Sequence, residues 1–341
     1  MKFTGDRVSD TVVPLTLRHL DSSSSARGAN RGPRGEGGTR VRVERNTRSG
    51  FSILAPSIPC GSASRNPSLD SKPGLDTLFD MKVVSLTCSN TEIVAALGRG
   101  DWLVGVDDHS DVPAELLEGL PRVGPDLQID VERVVALEPD LILASLTVPG
   151  HERVVEEVRA TGIPWIAPSP IGLSDIEGDI RTIATHLDAE DRATELIDAM
   201  RREFDRLRKA APVGDPVPIL VEWWPKPVIV PGRDSWVTDL LEAVGGVNPF
   251  ATRDAKSFEV TAEEAREAGV EGIAISWCGV EEKNYRPEKV IGRAGWERVP
   301  AIVGGHVAPI SEAYLGRPGP RVVEGARRLA ALIASVRGES K

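Results

Sequence analysis

From Met81 onward, short β-branched apolar runs alternate with stretches whose apolar residues recur every three or four positions. Such alternation is typical of βα units and predicts parallel sheets. The predicted strands cover residues 83–86, 103–106, 141–144 and 165–167, followed by 219–222, 228–229, 272–276 and 307–309. We therefore expect an α/β fold of two similar βα lobes with short, mainly parallel sheets.

Residues 174–212 contain no strand candidate between the two sets. The runs DIRTIATHL and DRATELIDAMRREFDRLRKA show helical spacing, which predicts one long rigid helix or two helices in series. Several prolines from Pro212 onward end the helical pattern. The predicted organisation is a first lobe at 81–173, a helical link at 174–212 and a second lobe at 213–338.

Residues 1–80 have a different composition, with the run SSSSARGANRGPRGEGGTR and little apolar periodicity. This pattern predicts a disordered tail. A start codon assigned too far upstream would give the same picture, because Met81 directly precedes the first strand-like run. No apolar export signal is visible in the tail, and the segment before Cys60 is too short and polar for a lipidation site. Periplasmic, cell-surface and cytoplasmic locations therefore stay open.

The two lobes also share a local pattern. VERVVALEPDLILAS and AEEAREAGVEGIAIS both place a carboxylate near a helix start, then an acidic turn, then a strand that ends in serine. The equivalent pairs are Glu132 with Glu263 and Ser145 with Ser276. Two related lobes joined by helices predict a cleft between them, and clefts of this kind are common sites for small ligands.

Charge and motifs exclude several function classes. The net charge of -10, without a basic stripe, argues against nucleic-acid binding. No run of about 18 apolar residues predicts a membrane span. The three cysteines show no CxxC spacing. P-loop, GxGxxG, GxSxG and HExxH motifs are absent, so an enzyme would have to use His109, Asp107, Asp108 and Cys88.

Four segments resemble the cobalamin-type periplasmic substrate-binding proteins, which have a rigid helical backbone and are relatives of siderophore and haem receptors. In order, they are VVSLTCSNTEIVAALGRGDWLVGVDDHSDVP, LQIDVERVVALEPDLILAS, WVTDLLEAVGGVNPF and LGRPGPRVVEGARRLA. The resemblance covers residues 82 to 338. It implies capture of a corrinoid ligand in the inter-lobe cleft for an ABC importer, with no cofactor and no catalysis. The alternatives are a haem or ferric-siderophore binder of the same fold, or a cytoplasmic corrinoid-binding protein.

In the first lobe, the candidate ligand contacts lie where strands end. Cys88, Ser89 and Asn90 follow the first strand at a helix start, where free N–H groups face the cleft. His109 follows the second strand, and the resemblance places it at the ligand. Ordinary helix capping and an exposed loop histidine are the alternatives. Two separate histidines, His109 and His306, make no bare metal site.

The second lobe contributes aromatic candidates. Trp223 and Trp224 follow one strand and Trp277 follows another, and broad indole faces suit a flat macrocycle. Core packing is the alternative, although neighbouring strand residues such as Trp223 and Trp224 point to opposite faces. The resemblance places Tyr314 and Arg317 on a loop facing the cleft, where Arg317 pairs with a ligand phosphate or propionate or stays solvated.

The resemblance also assigns a partner. Its members dock one exposed carboxylate of each lobe onto arginines of a membrane permease, and Glu132 and Glu263 match those positions. The alternative is local: each glutamate lies in the first turn of a predicted helix, where negative charge is favourable in any case.

Overall fold

The computed structural model describes residues 81–338. The predictions made for residues 1–80 lie outside the described residues.

The first lobe runs from residue 81 to 172. Its elements are β1 Val83–Ser85, α1 Cys88–Ala96, β2 Leu103–Val106, α2 Ala114–Leu117, α3 Val131–Ala136, β3 Leu141–Leu143, α4 His151–Ala160 and β4 Trp165–Ile166. The four strands form one parallel sheet in the order β2-β1-β3-β4. All four were predicted from the sequence to within one residue at either end.

Two helices follow, α5 Leu173–His186 and α6 Glu190–Ala210. Of the two predicted arrangements, the structure has two helices in series. The break lies at Asp188, which adopts a positive φ of 47° that a continuing helix does not allow. Arg99 of the first lobe donates hydrogen bonds to the carbonyl oxygens of Leu187 and Asp188, at 2.9 and 2.6 Å. The connection between the helices is thereby fixed to the first lobe.

The second lobe has thirteen further elements. They are β5 Val217–Glu222, β6 Trp224–Pro225, β7 Val228–Pro231, α7 Val237–Glu242, β8 Gly246–Val247, β9 Ser257–Glu259, α8 Ala262–Glu267, β10 Gly272–Ile275, α9 Pro287–Ile291, α10 Pro300–Val303, β11 Val307–Pro309, α11 Glu312–Leu315 and α12 Val322–Val336. A parallel sheet has the order β11-β10-β5-β8, and a small antiparallel sheet has the order β6-β7-β9. The sequence did not predict β6, β8 or β9, because two or three residues are too few to show an alternating pattern.

The fold-class prediction of two similar βα lobes with short, mainly parallel sheets is confirmed. One core cluster runs through both lobes and the connecting helices: Val83 and Leu143 belong to it, as do Ile180 of α5, Ile197 of α6 and Leu329 of α12. Burial of these side chains supplies most of the stabilisation that holds the lobes on the helices. No helix within residues 81–338 is long and apolar enough to span a bilayer.

The predicted repeat extends to hydrogen bonds and backbone angles. Asp130 caps α3 by accepting from the Arg133 backbone N–H at 3.0 Å, and Thr261 caps α8 by accepting from the Glu264 N–H at 3.2 Å. The turn into the following strand uses a positive φ in both lobes, 51° at Glu138 and 65° at Gly269. The two lobes therefore repeat the same helix, left-handed turn and strand.

Candidate functional site

The carboxyl ends of the two parallel sheets are joined by side chains that reach from lobe to lobe. Arg317 of the second lobe donates to Glu92 and Asp111 of the first. Lys256 of the second lobe donates to the Leu146 carbonyl oxygen, which follows β3. The loops after β1, β2 and β3 thus share one cleft with loops of the second lobe.

At the start of α1, three predicted contact residues have different environments. Cys88 is partly exposed, and its Sγ lies 3.9 Å from Asp107 Oδ2. Burial and the Asp107 carboxylate raise the pKa of this thiol, so it stays protonated at neutral pH. Ser89 is 7% exposed, and Asn90 is only 1% exposed. The Asn90 amide donates to the carbonyl oxygens of Leu143 and Ala144 at 3.3 and 2.7 Å. The structure therefore gives Asn90 the task of fixing α1 to the end of β3.

The turn after β2 is organised by Asp107. Its fully buried carboxylate accepts from the His109 backbone N–H at 2.9 Å and from the Ser110 hydroxyl at 2.5 Å. Burial raises the pKa of Asp107 above its ordinary value. The His109 side chain is exposed on this turn. The loop that the sequence singled out is thus anchored from below, with its imidazole at the surface.

A second histidine, His151, lies near this edge. His151 begins α4 and is 2% exposed. Its Nδ1 accepts from the Val148 backbone N–H at 3.3 Å, and its Nε2 lies 3.3 Å from Asp126 Oδ2. Burial alone would raise the pKa of Asp126, but its bond to His151 holds it below the ordinary value. Only the tertiary pairing of two loops reveals this contact.

The three candidate tryptophans of the second lobe also differ. Trp224 is 45% exposed, and its Nε1 donates to the Lys226 carbonyl oxygen at 3.2 Å. Trp223 is half-buried against the main core cluster. Trp277 is 8% exposed and its Nε1 donates to Glu222 Oε1 at 2.9 Å. The opposite orientations predicted for Trp223 and Trp224 agree with these exposures, while Trp277 packs behind the surface of the cleft.

Glu222 and Tyr285, which the sequence analysis did not identify, hold Trp277 in place. Glu222 is fully buried and receives both terminal nitrogens of Arg293, at 2.8 and 2.6 Å. The Tyr285 hydroxyl donates to the Trp277 carbonyl oxygen at 3.1 Å and accepts from the Glu312 backbone N–H at 3.1 Å. A glutamate inside a buried strand is the one sequence signal that could have pointed to this network, because buried charges are paired.

Arg317 lies at the centre of a group that we call the Arg317 cluster, formed with Glu92, Asp111, Glu312 and Arg321. Its guanidinium side chain is 11% exposed and donates to Asp111 at 2.5 Å, to Glu92 at 3.2 Å and to Glu312 at 3.3 Å. Arg321 also donates to Glu92, at 3.1 Å. Glu92 is therefore a buried inter-lobe ion-pair partner.

Tyr314 lies beside this cluster in α11. The guanidinium groups of Arg321 and Arg328 stand over its ring at 4.7 and 4.5 Å from the centroid. Cation–π contacts of this kind help to hold the ring in place. Within residues 81–338, no group of three or more His, Cys, Asp or Glu side chains is placed to hold a metal ion.

Comparison with known proteins matches this arrangement to a family. The family model described as periplasmic binding protein matches residues 83–314, more than half of the chain. The chain belongs to the periplasmic binding protein family. A substrate-binding lipoprotein of an ABC transporter from Bacillus subtilis, YvrC, is 28% identical over 73% of this chain and 78% of its own length. A vitamin B12-binding protein of Yersinia pestis is 27% identical over 75% of this chain and 87% of its own length.

Solved structures with the same fold include proteins that bind different ligands. The vitamin B12-binding protein BtuF of Vibrio cholerae has a TM-score of 0.63 at 23% identity, covering 75% of this chain and 98% of that one. The haem-binding protein RhuT of Roseiflexus has a TM-score of 0.65 at 25% identity, with the same coverage. A Saccharomonospora viridis protein of an Fe3+-hydroxamate transport system has a TM-score of 0.63 at 23% identity, covering 74% of this chain and 93% of that one. The family is one of substrate-binding proteins of ABC importers, and these likenesses leave the ligand undetermined.

Proposed function

We propose that this protein captures a corrinoid, cobalamin-like ligand between its lobes and presents it to the membrane permease of an ABC importer. The observation that carries the ligand class is the exposed indole of Trp224, which begins β6 in the second lobe. Its N–H is already bonded to the Lys226 carbonyl, so the part left in contact with water is the apolar ring. Covering such a ring with a macrocycle is favourable.

The polar side of the proposed site comes from the first lobe. The His109 imidazole is exposed and Ser89 and Cys88 lie at the start of α1, so this edge offers hydrogen-bond donors and acceptors. Peripheral amides of a corrinoid are suited to such groups. The 27% identity with vitamin B12-binding proteins over most of both chains supports the same ligand class.

Haem is the second candidate, because the exposed imidazole of His109 is a type of group that coordinates iron. A haem ligand also carries carboxylates, which need cationic partners in the cleft. Binding of haem rather than cobalamin would retain the function class and replace the ligand.

The proposal is tested by calorimetric titration of the full chain with cyanocobalamin. Haemin and a ferric hydroxamate siderophore are titrated in parallel. We expect saturable one-to-one binding of cyanocobalamin. Trp224→Ala should weaken it by about 10-fold to 100-fold, the equivalent of about 1.5–3 kcal/mol for uncovering one large apolar side chain. Trp224→Phe should retain most of the affinity. Val303→Ala, an exposed apolar residue that precedes the amino end of β11, should leave it unchanged. Cyanocobalamin heats indistinguishable from dilution would contradict the ligand assignment.

The partner half of the proposal rests on Glu132 and Glu263. Each is exposed and is the second residue of its helix, and the residue before each helix is a side-chain cap. Neither carboxylate is needed for capping, since Asp130 and Thr261 do that work. Two equivalent exposed carboxylates, one on each lobe, suit a pair of salt bridges to a permease.

The double variant Glu132→Lys, Glu263→Lys is expected to abolish stimulation of ATP hydrolysis by the permease complex in proteoliposomes. Ligand affinity should stay within about twofold, because the helices keep their caps. Glu156→Lys with Glu297→Lys, exposed charges on each lobe that lie outside α3 and α8, is the matched control for net charge. Full stimulation by the Glu132, Glu263 variant would remove these residues from the interface.

A further inference from the structure

Three cations in the loops at the cleft, Arg122, Lys256 and Arg317, donate to acceptors of the protein itself. Arg122 donates to the carbonyl oxygens of Asp107 and Ser110, at 2.8 and 2.6 Å. Lys256 donates to the Leu146 carbonyl oxygen and lies 3.4 Å from the Ser169 hydroxyl. Bonds to uncharged oxygens occupy N–H donors of these two cations but leave their charge in place, whereas carboxylate acceptors also offset the charge of the cation.

Arg317 is the most strongly engaged of these cations. Its Nε donates to Glu312 at 3.3 Å, one terminal nitrogen donates to Glu92 and Asp111, and the other lies 3.4 Å from Asp111. The three carboxylates come from three different elements, α1, the turn after β2, and α11. Together with Arg321 they make a cluster of three negative and two positive groups, so its formal charge is negative.

The exposure of these groups decides which charge meets the cleft. The Asp111 side chain is 56% exposed and that of Glu312 is 20% exposed, against 11% for Arg317. Asp111 is therefore the most accessible group of the cluster, Arg321 at 26% and Glu312 are partly exposed, and the Arg317 guanidinium lies behind Asp111 and Glu312. Burial raises the pKa of Glu312, although Arg317 acts in the opposite direction.

We infer that Glu312 and Asp111 are specificity-determining residues, which mask Arg317 and restrict the cleft to ligands without peripheral carboxylates. This inference deepens the proposed function, on which it rests only for the identity of the neutral ligand. It assigns the ligand class as an uncharged or cationic macrocycle with amide-type edges. An anionic ligand would meet the exposed Asp111 carboxylate, the partly exposed Glu312 carboxylate and a guanidinium already bonded to both.

The test compares two corrinoids that share a ring and differ in peripheral charge, dicyanocobinamide with amide edges and dicyanocobyrinic acid with carboxylate edges. Haemin is a third probe. Dissociation constants are measured for the full-length wild type and for Glu312→Gln and Asp111→Asn, which keep a hydrogen-bond acceptor beside Arg317. Glu177→Gln is the control. Glu177 lies on α5, its side chain is 17% exposed, and it also accepts hydrogen bonds from two side-chain nitrogens of an arginine, Arg201.

The wild type should prefer dicyanocobinamide over dicyanocobyrinic acid. Each cleft variant, Glu312→Gln or Asp111→Asn, should bind dicyanocobyrinic acid about tenfold more tightly than the wild type and so reduce that preference. Haemin affinity should rise in parallel. Glu177→Gln should behave as the wild type. Folded cleft variants, verified by circular dichroism, that bind neither carboxylate ligand more tightly would overturn the inference. If neither corrinoid binds any form of the protein, the proposed ligand is wrong. Haemin then tests the masking role by itself: tighter haemin binding by the cleft variants supports that role, and unchanged haemin binding overturns it.

Discussion

Replacing Arg293 by methionine is expected to lower the free energy of unfolding by about 3–5 kcal/mol, the range seen when one partner of a buried ion pair is removed. Glu222 would keep the indole N–H of Trp277 but lose both bonds from Arg293, and its side chain is fully buried. A buried carboxylate with a single donor is poorly compensated for the water it has lost. Urea unfolding at pH 7, followed by tryptophan fluorescence, measures the change.

The double variant Glu222→Gln, Arg293→Met separates the charge from the packing. Without the buried charge, most of the lost stability should return, because removing both partners of a buried pair is far less costly than removing one. Arg293 also stands over the Trp296 ring at 4.9 Å, so a small deficit should remain. If the single and double variants are equally unstable, the bridge is not what stabilises this part of the second lobe.

The same network shows what the sequence could and could not predict. Trp223, Trp224 and Trp277 were placed together because they follow strands, and the ends of parallel strands lie along one edge. Exposure was less predictable. Trp277 is covered because its ring packs on Tyr285, which comes from a segment where no strand or helix was predicted. Contacts between segments far apart in the chain leave no local pattern.

The first lobe gives a parallel example. A carboxylate near the start of a helix, such as that of Glu92, is favourable even without an ion-pair partner. In the structure it is buried because the loop before α12 lies on α1, where Ser89 O is 3.6 Å from the position that a Cβ on Gly319 would take. The repeat, by contrast, was predictable, since Glu132 and Glu263 are set by local spacing. Periodic and capping signals therefore carry over from the sequence, and charge pairs between lobes do not.

Arg317→Met should have the second large effect, and one that depends on pH. At pH 8 the free energy of unfolding should fall by about 3 kcal/mol, because Glu92 and Glu312 would stay buried with fewer cationic partners. Burial already raises the pKa of both carboxyls above their ordinary values. Loss of Arg317 should raise both pKa values further.

The sign of the pH dependence follows from linkage. A carboxyl whose pKa is higher in the folded than in the unfolded protein binds protons preferentially on folding, so its contribution is favourable at low pH and is lost as the pH rises through the folded pKa. The deficit of Arg317→Met should therefore shrink as the pH falls from 8 towards 5. Urea unfolding of both proteins at pH 5, 6.5 and 8 measures it.

Adding Glu92→Gln to Arg317→Met removes the more deeply buried of these two carboxylates and should flatten the pH dependence. A deficit of the same size at all three pH values would show that Arg317 acts through packing of its stem alone. Because Arg317 bonds to Glu92 and Asp111 across the lobes, the variant should also loosen the cleft at pH 8. Faster hydrogen exchange in α1 and in residues 312–321, with the α5–α6 connection unchanged, is the expected signature of that loosening.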